Sequence, residues 1–325
     1  MKLPRRRFLH LAASATALPA LSRIARAGTY PSRPVQMIVG FPAGSAPDII
    51  ARLAAQWLAD KLGQNFLVEN RPGAGSNIGT ELVVKAQPDG YTIICDVLTN
   101  VLNTALYQHL SFDFMRDIAP VAPVANAPYV ILVTNSLPVT TVPEFIAYAK
   151  ANPGKINMAS GGVGSPQQLY GELFMSMTGV NMLHVPYRGS PQAVTSLFAG
   201  ETQVIFDTLS TSIENIRAGK LRALAVTSAA RSELLPDVPA MGEAVPGYEA
   251  TIWLGLGAPK GTPAEIVDRL NKEVNAGLAD PILKAKIESL GYSPFVSSPA
   301  ELGRFIAEDT EKWGKVIRTA NIKAN

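Results

Sequence analysis

The stretch "VQMIVGFPAGSAPDIIARLAAQWLADKLGQNFLVEN", residues 35–70, decides the fold class. It opens with a short apolar run, 35–41, of the kind that forms buried strands. Residues 48–63 follow with the 3.6-residue spacing of an amphipathic helix, and "NFLVEN" reads as a second strand. The predicted apolar face of the helix consists of Ile49, Leu53, Ala54, Trp57, Leu58 and Leu62. Such a strand–helix–strand unit predicts a mostly parallel sheet with helices on both faces.

This alternation continues and restarts near residue 128 with the strand "YVILVTN". The periodicity predicts further helices near residues 77–86, 166–178 and 191–199. The proline-rich stretch 230–251 is predicted to be an irregular connection.

Helix boundaries have local signals. Asp48 is the predicted N-cap of the first helix, and Gly63 its end. Capping boxes predict helix starts at Thr141–Glu144, Thr262–Glu265 and Ser298–Glu301, the last two with proline at the first helical position.

The N-terminus "MKLPRRRFLHLAASATALPALSRIARAG" has the basic start, short apolar centre and small-residue end of an export signal. Arg5, Arg6, Phe8 and Leu9 fit the twin-arginine pattern, with an ordinary Sec signal as the alternative. We expect cleavage near Ala27 and a periplasmic protein. The remaining 298 of 325 residues exceed what one hydrophobic core usually supports, so two lobes are expected.

Removal of the signal reverses the net charge. The full chain has 29 basic and 26 acidic residues, a net charge of +3, and residues 1–27 contain six basic residues and no acids. The mature chain therefore has 23 basic and 26 acidic residues, a net charge of −3. No basic run survives, so no nucleic-acid partner is expected.

Four loops between a strand and a helix share one composition. Each is rich in Gly, Ser and Pro: "FPAGSAPD" (41–48), "RPGAGSN" (71–77), "SGGVGSPQQ" (160–168) and "YRGSPQ" (187–192). Such loops offer backbone N–H groups at helix N-termini, where the helix dipole favours an anion. "GAGSNIG" departs from the dinucleotide fingerprint in spacing and context, and no P-loop is present. Four such loops predict an anion held between two lobes.

Catalytic and metal-binding patterns are sparse. The mature chain has two histidines, His109 and His184, and the sequence has no His-x-x-x-His or Cys-x-x-Cys pair, so neither metal nor cofactor is expected. The single cysteine, Cys95, lies in an apolar run and is interpreted as a core residue. The alternative function is an exported hydrolase that uses Ser165 or Cys95 with His184.

Several stretches of the chain together resemble the Bug family, the substrate-binding proteins of tripartite tricarboxylate transporters. They include "YPSRPVQMIVGFPAGSAPDIIARLAAQWLADKLGQNFLVENRPGAGSNIGTELVVKAQPDGYTI", "AKANPGKINMASGGVGSPQQL" and "HVPYRGSPQAVTSLFAGETQVIFD". The resemblance implies the two-lobed periplasmic-binding-protein type II α/β fold, each lobe a mostly parallel sheet flanked by helices, with a ligand cleft between the lobes. We assign residues 28–127 and 230–325 to lobe 1 and residues 128–229 to lobe 2.

The resemblance also implies a ligand and its contacts. The ligand is a small carboxylate-bearing organic anion, and clamp closure involves no chemistry. The expected partners are this anion and the membrane subunits of the transporter, with the receptor itself a monomer. The implied ligand-binding residues are Phe41, Pro42, Ala43, Gly44, Ser45, Asp48, Asn77, Thr99, Asn100, Ser160, Gly161, Gly164, Ser165, Tyr187, Arg188 and Asp207.

Several of these positions have alternative roles, and two regions depart from the family pattern. Asp48 caps its helix or lines the pocket, Arg188 pairs with a surface acid or with the ligand, and Asp207 faces the ligand or fixes the hinge. Residues 44–47 replace a glycine run, and Gln168 replaces a histidine. A Ser165–Gln168 capping box would preserve the helix start.

Overall fold

The computed structural model describes residues 30–107 and 109–323, except for the side chain of Ser210. The predicted signal, its twin-arginine motif and its cleavage site therefore lie outside the described residues. Two compact units are distinguished, Met1–Ser32 and Arg33–Asn325, and the helices and strands below belong to the second. Across the part of the chain that is described, no helix combines the length and apolarity needed to span a bilayer.

Strands and helices alternate along most of the chain. The strands are β1 (Val35–Val39), β2 (Phe66–Asn70), β3 (Thr92–Val97), β4 (Ile118–Thr134), β5 (Asn157–Ser160), β6 (Leu183–Pro186), β7 (Val204–Thr208), β8 (Leu221–Val226), β9 (Thr251–Pro259) and β10 (Ser293–Pro294). The helices are α1 (Ala46–Leu62), α2 (Asn77–Val84), α3 (Leu98–Leu106), α4 (Phe114–Asp117), α5 (Val142–Ala151), α6 (Pro166–Thr178), α7 (Ser190–Phe198), α8 (Leu209–Arg217), α9 (Ala264–Ala279), α10 (Pro281–Ser289) and α11 (Pro299–Thr319).

These strands form one mixed sheet in the order β2-β1-β3-β9-β4-β7-β5-β6, with β8 and β10 also paired to β4. The pairs β1–β2, β1–β3, β5–β6 and β5–β7 are parallel, as the strand–helix units predicted. The centre differs from the predicted mostly parallel arrangement, because β9 is antiparallel to β3 and to β4 and β4 is antiparallel to β7. The α/β class is thus confirmed, with an antiparallel centre.

Strand β4 is long enough to pair with different strands along its two parts. Its residues 118–128 pair with β9, and its residues 129–133 pair with β7. We call β1, β2, β3 and β9 the first half-sheet and β5, β6, β7 and β8 the second half-sheet, with β4 shared. The predicted strand at residues 129–135 is therefore the second part of a longer one. The lobe boundaries stay a prediction.

The first part of β4 was not predicted, because it contains Pro120, Pro123 and Pro128. Proline lacks the N–H that a strand interior needs and is tolerated at irregularities. The register of β4 against β9 shifts between Pro120 and Ala122 and again between Pro123 and Ala125. These bulges accommodate two of the prolines within the strand.

Two predicted helix starts were wrong and three boundary predictions are confirmed. Helix α1 has Ser45, not Asp48, at its N-cap, and α9 has Pro263 at its N-cap instead of a Thr262 capping box. Gly63 ends α1 in the left-handed conformation, as predicted. The side chains of Thr141 and Ser298 cap α5 and α11.

The buried face of α1 also differs from the predicted one. Ile50, Ala51 and Leu58 are fully buried, whereas Ile49 is 38% exposed. Helix α1 packs against the sheet on one side and against α9 on another, and the Trp57 indole N–H donates to the Glu273 carbonyl at 2.7 Å. Because two partners cover α1, its buried surface is wider and rotated relative to a simple stripe.

Candidate functional site

The four glycine-rich loops all follow strands of the parallel parts of the sheet. Loops 41–48 and 71–77 follow the adjacent strands β1 and β2, and loops 160–168 and 187–192 follow the adjacent strands β5 and β6. Within the first pair the packing is close, since a Cβ on Gly40 would lie 1.7 Å from the Ser76 Oγ. Glycine at position 40 is therefore required for the two loops to meet.

Asp48 organises loop 41–48. Its Oδ2 accepts from the Gly44 N–H at 2.8 Å, and its Oδ1 accepts from Asn70 at 2.9 Å and pairs with Arg52 at 2.9 Å. Asn70 also donates to the Phe41 carbonyl at 3.0 Å, so both ends of the loop are tied down. Burial raises the pKa of Asp48, but hydrogen bonds from Arg52, Gly44 and Asn70 outweigh burial and lower it. Asp48 is thus an ionised residue that holds the loop in place, and it is not the N-cap of α1.

A network of amides holds loop 71–77. The Asn100 side chain donates to Ser76 Oγ and Thr80 Oγ1, each at 2.8 Å, and accepts from the Val97 N–H at 3.0 Å. Asn103 donates to the Gly75 carbonyl at 2.7 Å and to the Asn77 Oδ1 at 2.6 Å. The Asn100 amide is therefore engaged inside the first half-sheet, which gives this predicted ligand residue a structural role.

Within the described parts of the chain, two buried side-chain atoms of these loops have no hydrogen-bond partner. They are the Ser45 Oγ, at the N-cap of α1, and the Asn77 Nδ2, in the first residue of α2. Both atoms are buried, and Asn77 as a whole is only 7% exposed. A buried donor without a partner costs about 1–3 kcal/mol, so an added acceptor beside these two groups would stabilise the protein.

In the second half-sheet, glutamine side chains accept hydrogen bonds from backbone N–H groups of the loops. The Gly161 N–H donates to the Gln167 Oε1, and the Gly164 N–H donates to the Gln168 Oε1 at 2.8 Å. Ser165 caps α6 by accepting from the Gln168 N–H at 3.4 Å. Gln168 does not complete the predicted capping box, because its oxygen turns to Gly164 instead of to Ser165. Side chains of α6 thus occupy amides that were expected to face a ligand.

Asp207 is the centre of this arrangement. Its carboxylate is fully buried and accepts four hydrogen bonds. The donors are Gln167 at 2.7 Å, Ser190 at 2.6 Å, Thr211 at 2.8 Å and Ser212 at 2.7 Å. These residues belong to the first turns of α6, α7 and α8, so Asp207 fixes three helix N-termini relative to one another. Its oxygens are fully used by the protein.

Tyr187 and Arg188 lie side by side in the fourth loop but face different surroundings. The Tyr187 hydroxyl donates to Glu201 at 3.4 Å, and the ring lines a cavity beside α7 with Pro191 and Thr195. Arg188 is exposed, and among the described residues its guanidinium has no ion pair; its backbone N–H donates to Gln192 at 3.2 Å. Of the two alternatives for Arg188, a salt bridge with a surface acid is not observed.

The hydrolase alternative requires contacts that the structure does not form. His184 Nε2 lies 2.5 Å from the Oγ of Ser160, not of Ser165, and Ser160 is fully buried. Cys95 is also fully buried, and burial raises the pKa of its thiol, with Asp96 and Asp48 adding to the effect. The Ser165 Oγ donates to the Gly162 carbonyl at 2.7 Å. No hydrogen bond joins either predicted nucleophile to the predicted base among the described residues, so the structure gives the hydrolase alternative no support.

The sixteen predicted ligand-binding residues differ in their exposure to solvent. The exposed ones are Pro42, Ala43, Gly44 and Arg188, the half-buried ones are Phe41, Ser45, Thr99, Gly161, Ser165 and Tyr187, and the buried ones are Asp48, Asn77, Asn100, Ser160, Gly164 and Asp207. Within residues 30–107 and 109–323, no group of three or more His, Cys, Asp or Glu side chains is placed to hold a metal ion.

Sequence reasoning missed the residues that position these loops. Gln167, Ser190, Asn103 and Asn70 all make the contacts described above. The signal for three of them was weak, since a polar residue inside a helix, such as Gln167 or Asn103, or at the end of a strand, such as Asn70, usually faces water. Ser190 was the exception, because it stands at the start of α7 directly after a glycine.

Comparison with known proteins agrees with this architecture. The family model of the tripartite tricarboxylate transporter family receptor, TctC, matches residues 50–322. Protein BugT of Bordetella pertussis is 36% identical over 300 residues, which cover 91% of this chain and 92% of BugT.

Two solved structures from Rhodopseudomonas palustris are also similar. Rpa4515 with adipate is 38% identical with a TM-score of 0.83, covering 90% of this chain and 99% of that one. MatC with bound malate is 30% identical with a TM-score of 0.78, covering 89% of this chain and all of that one. The chain therefore belongs to the TctC family and is a solute receptor of the periplasmic-binding-protein type.

Proposed function

We propose that this receptor binds a small organic anion bearing at least one carboxylate, and that the ligand lies between the glycine-rich loops of the two half-sheets. The observation that carries the proposal is the pair of buried polar groups without a partner among the described residues, Ser45 Oγ and Asn77 Nδ2, at the N-termini of the consecutive helices α1 and α2. A carboxylate would supply the missing acceptors, and the dipoles of α1 and α2 would favour its charge. The adipate and malate complexes of relatives support the same ligand class.

The second half-sheet has a different part in this proposal. Its loops are held by Gln167, Gln168 and Asp207, so they meet the ligand as a rigid surface. The unpaired Arg188 lies in the loop after β6 and provides a cation on that side. An anion with its main hydrogen bonds to the first half-sheet and its charge near Arg188 is the species this arrangement favours.

Titration calorimetry on the mature chain tests the ligand class. We expect adipate or malate to bind and the uncharged diamide of the same acid not to bind, since a neutral amide cannot use the helix dipoles. At a concentration of about 100 times its Kd the bound acid should stabilise the fold by about 2.7 kcal/mol. Equal binding of the diamide would reject the anion proposal.

Asn77→Asp tests the site itself. The change keeps an oxygen that can accept from Asn103 and replaces the unpartnered NH₂ with a second oxygen. A negative charge at this point should weaken carboxylate binding by tenfold or more, about 1.4 kcal/mol. Asn65→Asp is the matched control, since Asn65 is exposed and precedes β2 at the strand's opposite end. Unchanged affinity in Asn77→Asp would place the ligand elsewhere.

The biological setting follows from family membership. Receptors of this family are periplasmic, and we propose that the N-terminal segment directs export and is removed near Ala27. The membrane subunits of a tripartite transporter are the proposed recipients of the ligand, with the receptor acting as a monomer. N-terminal sequencing of the secreted protein would give the cleavage site, and retention of residues 1–27 would contradict the export proposal.

A further inference from the structure

The last turn of α3 lies between loops of both half-sheets. The side chain of Leu106 covers Gly164, because a Cβ on Gly164 would lie 2.7 Å from the Leu106 Cδ1. The next residue, Tyr107, places its hydroxyl 3.2 Å from the point where a Cβ on Gly75 would be. The same turn therefore contacts the loop after β2 and the loop after β5.

The contact between Leu106 and Gly164 joins an apolar side chain to the backbone of a glycine. Leu106 is only 3% exposed although it ends a short helix. Gly164 has φ of +75° and donates its N–H to Gln168. Any side chain at position 164 would meet both a strained backbone and the leucine. Leu106 thus packs against bare backbone of the other half-sheet.

This contact spans the sheet. Helix α3 follows β3, and the loop with Gly164 follows β5, and β9, β4 and β7 lie between these two strands in the sheet order. A contact of this kind is lost when the two half-sheets move apart, whereas contacts such as those of Asn100 lie inside one half-sheet and are kept. Leu106 also lines a cavity with Ile317 and Ile322, so separation would expose only the side of Leu106 that Gly164 covers, at a cost in free energy.

We infer that Leu106 is a positioning residue that holds the receptor closed by packing on Gly164. The inference rests on the proposed function, in which the ligand contacts loops of both half-sheets. Only the closed state then binds tightly, so the apparent affinity scales with the fraction of molecules that are closed. Leu106 therefore sets affinity through the closed fraction without contributing a polar contact to the ligand.

Leu106→Ala tests this inference. We expect the apparent Kd for adipate or malate, whichever the wild type binds, to rise about tenfold as the closed fraction falls about tenfold. Spin labels at the exposed positions Lys85 and Thr195 report opening, because Cys95 is buried and does not take label. We expect a longer, broader distance distribution in the ligand-free variant than in the wild type.

Leu58→Ala is the matched control, since Leu58 is fully buried in α1 within the first half-sheet. It should lower the melting temperature without changing the label distances or the Kd. If Leu106→Ala behaves like Leu58→Ala, the inference is wrong. If the wild type binds neither acid, the proposed function fails, and the ligand-free label distances still decide the closure contact.

A second variant tests the contact from its other side, and the backbone strain of Ala at φ +75° is present with and without Leu106, so it cancels in the comparison of the two. Gly164→Ala pushes a methyl group against Leu106 and should also open the receptor, with a similar rise in apparent Kd. In the double variant the clash is absent, so the two changes should be less than multiplicative in Kd. Independent, fully multiplicative effects would show that the two residues do not act through one contact.

Discussion

Two serines at helix starts show how the two half-sheets differ. Ser45 and Ser165 are each the N-cap residue of a helix with proline in its first turn. Ser165 accepts the Gln168 N–H and donates to the Gly162 carbonyl, so its hydroxyl is fully engaged. Ser45 makes no capping bond, and its buried oxygen has no partner. Among the described residues, side chains of the second half-sheet bond to its own loops, whereas the first half-sheet keeps two loop atoms without a partner, which we propose as ligand contacts.

The largest expected effect on stability comes from a substitution in the second half-sheet, where side chains bond to the loops. Asp207→Ala removes the acceptor of four hydrogen bonds and releases the starts of three helices; of the four donors, Thr211 can still donate to the Thr208 carbonyl. We expect a loss of about 4 kcal/mol in the free energy of unfolding, measured by urea denaturation. Asp60→Ala, an exposed aspartate that accepts only from Gln56, should change it by less than about 0.5 kcal/mol. A similarly small loss in Asp207→Ala would show that the second half-sheet does not depend on this carboxylate.

The second prediction concerns another unpartnered group of the first half-sheet, Asp96. Both its carboxyl oxygens are buried, and among the described residues no other residue donates to them; only the Asp96 backbone does so, weakly, and the oxygens face the space that Gly255 and Gly257 leave on β9. Burial raises the pKa of Asp96 to about 7, against about 3.9 in an unfolded chain. The raised pKa means that folding favours the protonated form. The contribution of Asp96 to stability is therefore largest below pH 4 and is lost as the pH rises towards 7.

Asp96→Asn removes this titration. A pKa difference of about 3 units corresponds to at most about 4 kcal/mol, and relaxation of the site reduces the gain to about 2–3 kcal/mol at pH 8. The measurement is the difference in unfolding free energy between variant and wild type from pH 4 to 8, which should grow with pH. A variant that is less stable than the wild type at pH 8 would mean that the carboxylate has an unseen partner.

The smallest effect sharpens the comparison between the two serines. Ser165→Ala should destabilise the ligand-free protein by about 1 kcal/mol, because it removes a cap that is made. Ser45→Ala should leave it within about 0.5 kcal/mol, because it removes a hydroxyl with no partner. Thermal unfolding with and without bound acid separates the two. Ser45→Ala should instead reduce the stabilisation that the ligand provides, and an equal loss in the ligand-free state for both variants would contradict the difference.

Much of the fold was predictable because it is written in short-range patterns. Strands β1, β2 and β3 and helices α1, α2, α6 and α7 follow from apolar periodicity and from caps such as Gly63. Strand β9 was missed, since Gly255 and Gly257 weaken the strand signal. These glycines are explained only by their neighbours, the Asp96 carboxyl and Ile118, which leave no room for side chains.

The four loops were predictable as elements of the chain, whereas their hydrogen-bond partners were not, and their role as a ligand site stays a prediction. The glycine-rich composition identified all four loops, because that composition is what a helix N-terminus near an anion requires. The partners of Asp48 and Asp207 were not predictable, since Asn70 lies 22 residues from the first and Gln167 lies 40 residues from the second. Which loop groups remain without a hydrogen-bond partner depends on such distant residues.

The sequence by itself determined the strand–helix units, the four loops and the family, because these depend on neighbours along the chain. The tertiary structure alone decided which groups in the loops are satisfied. Gln167, Gln168 and Asp207 close the second half-sheet's loops upon themselves, whereas Ser45 and Asn77 keep an atom without a partner. The reason is physical: a hydrogen bond needs its two atoms within about 3 Å, and only the folded chain sets that distance.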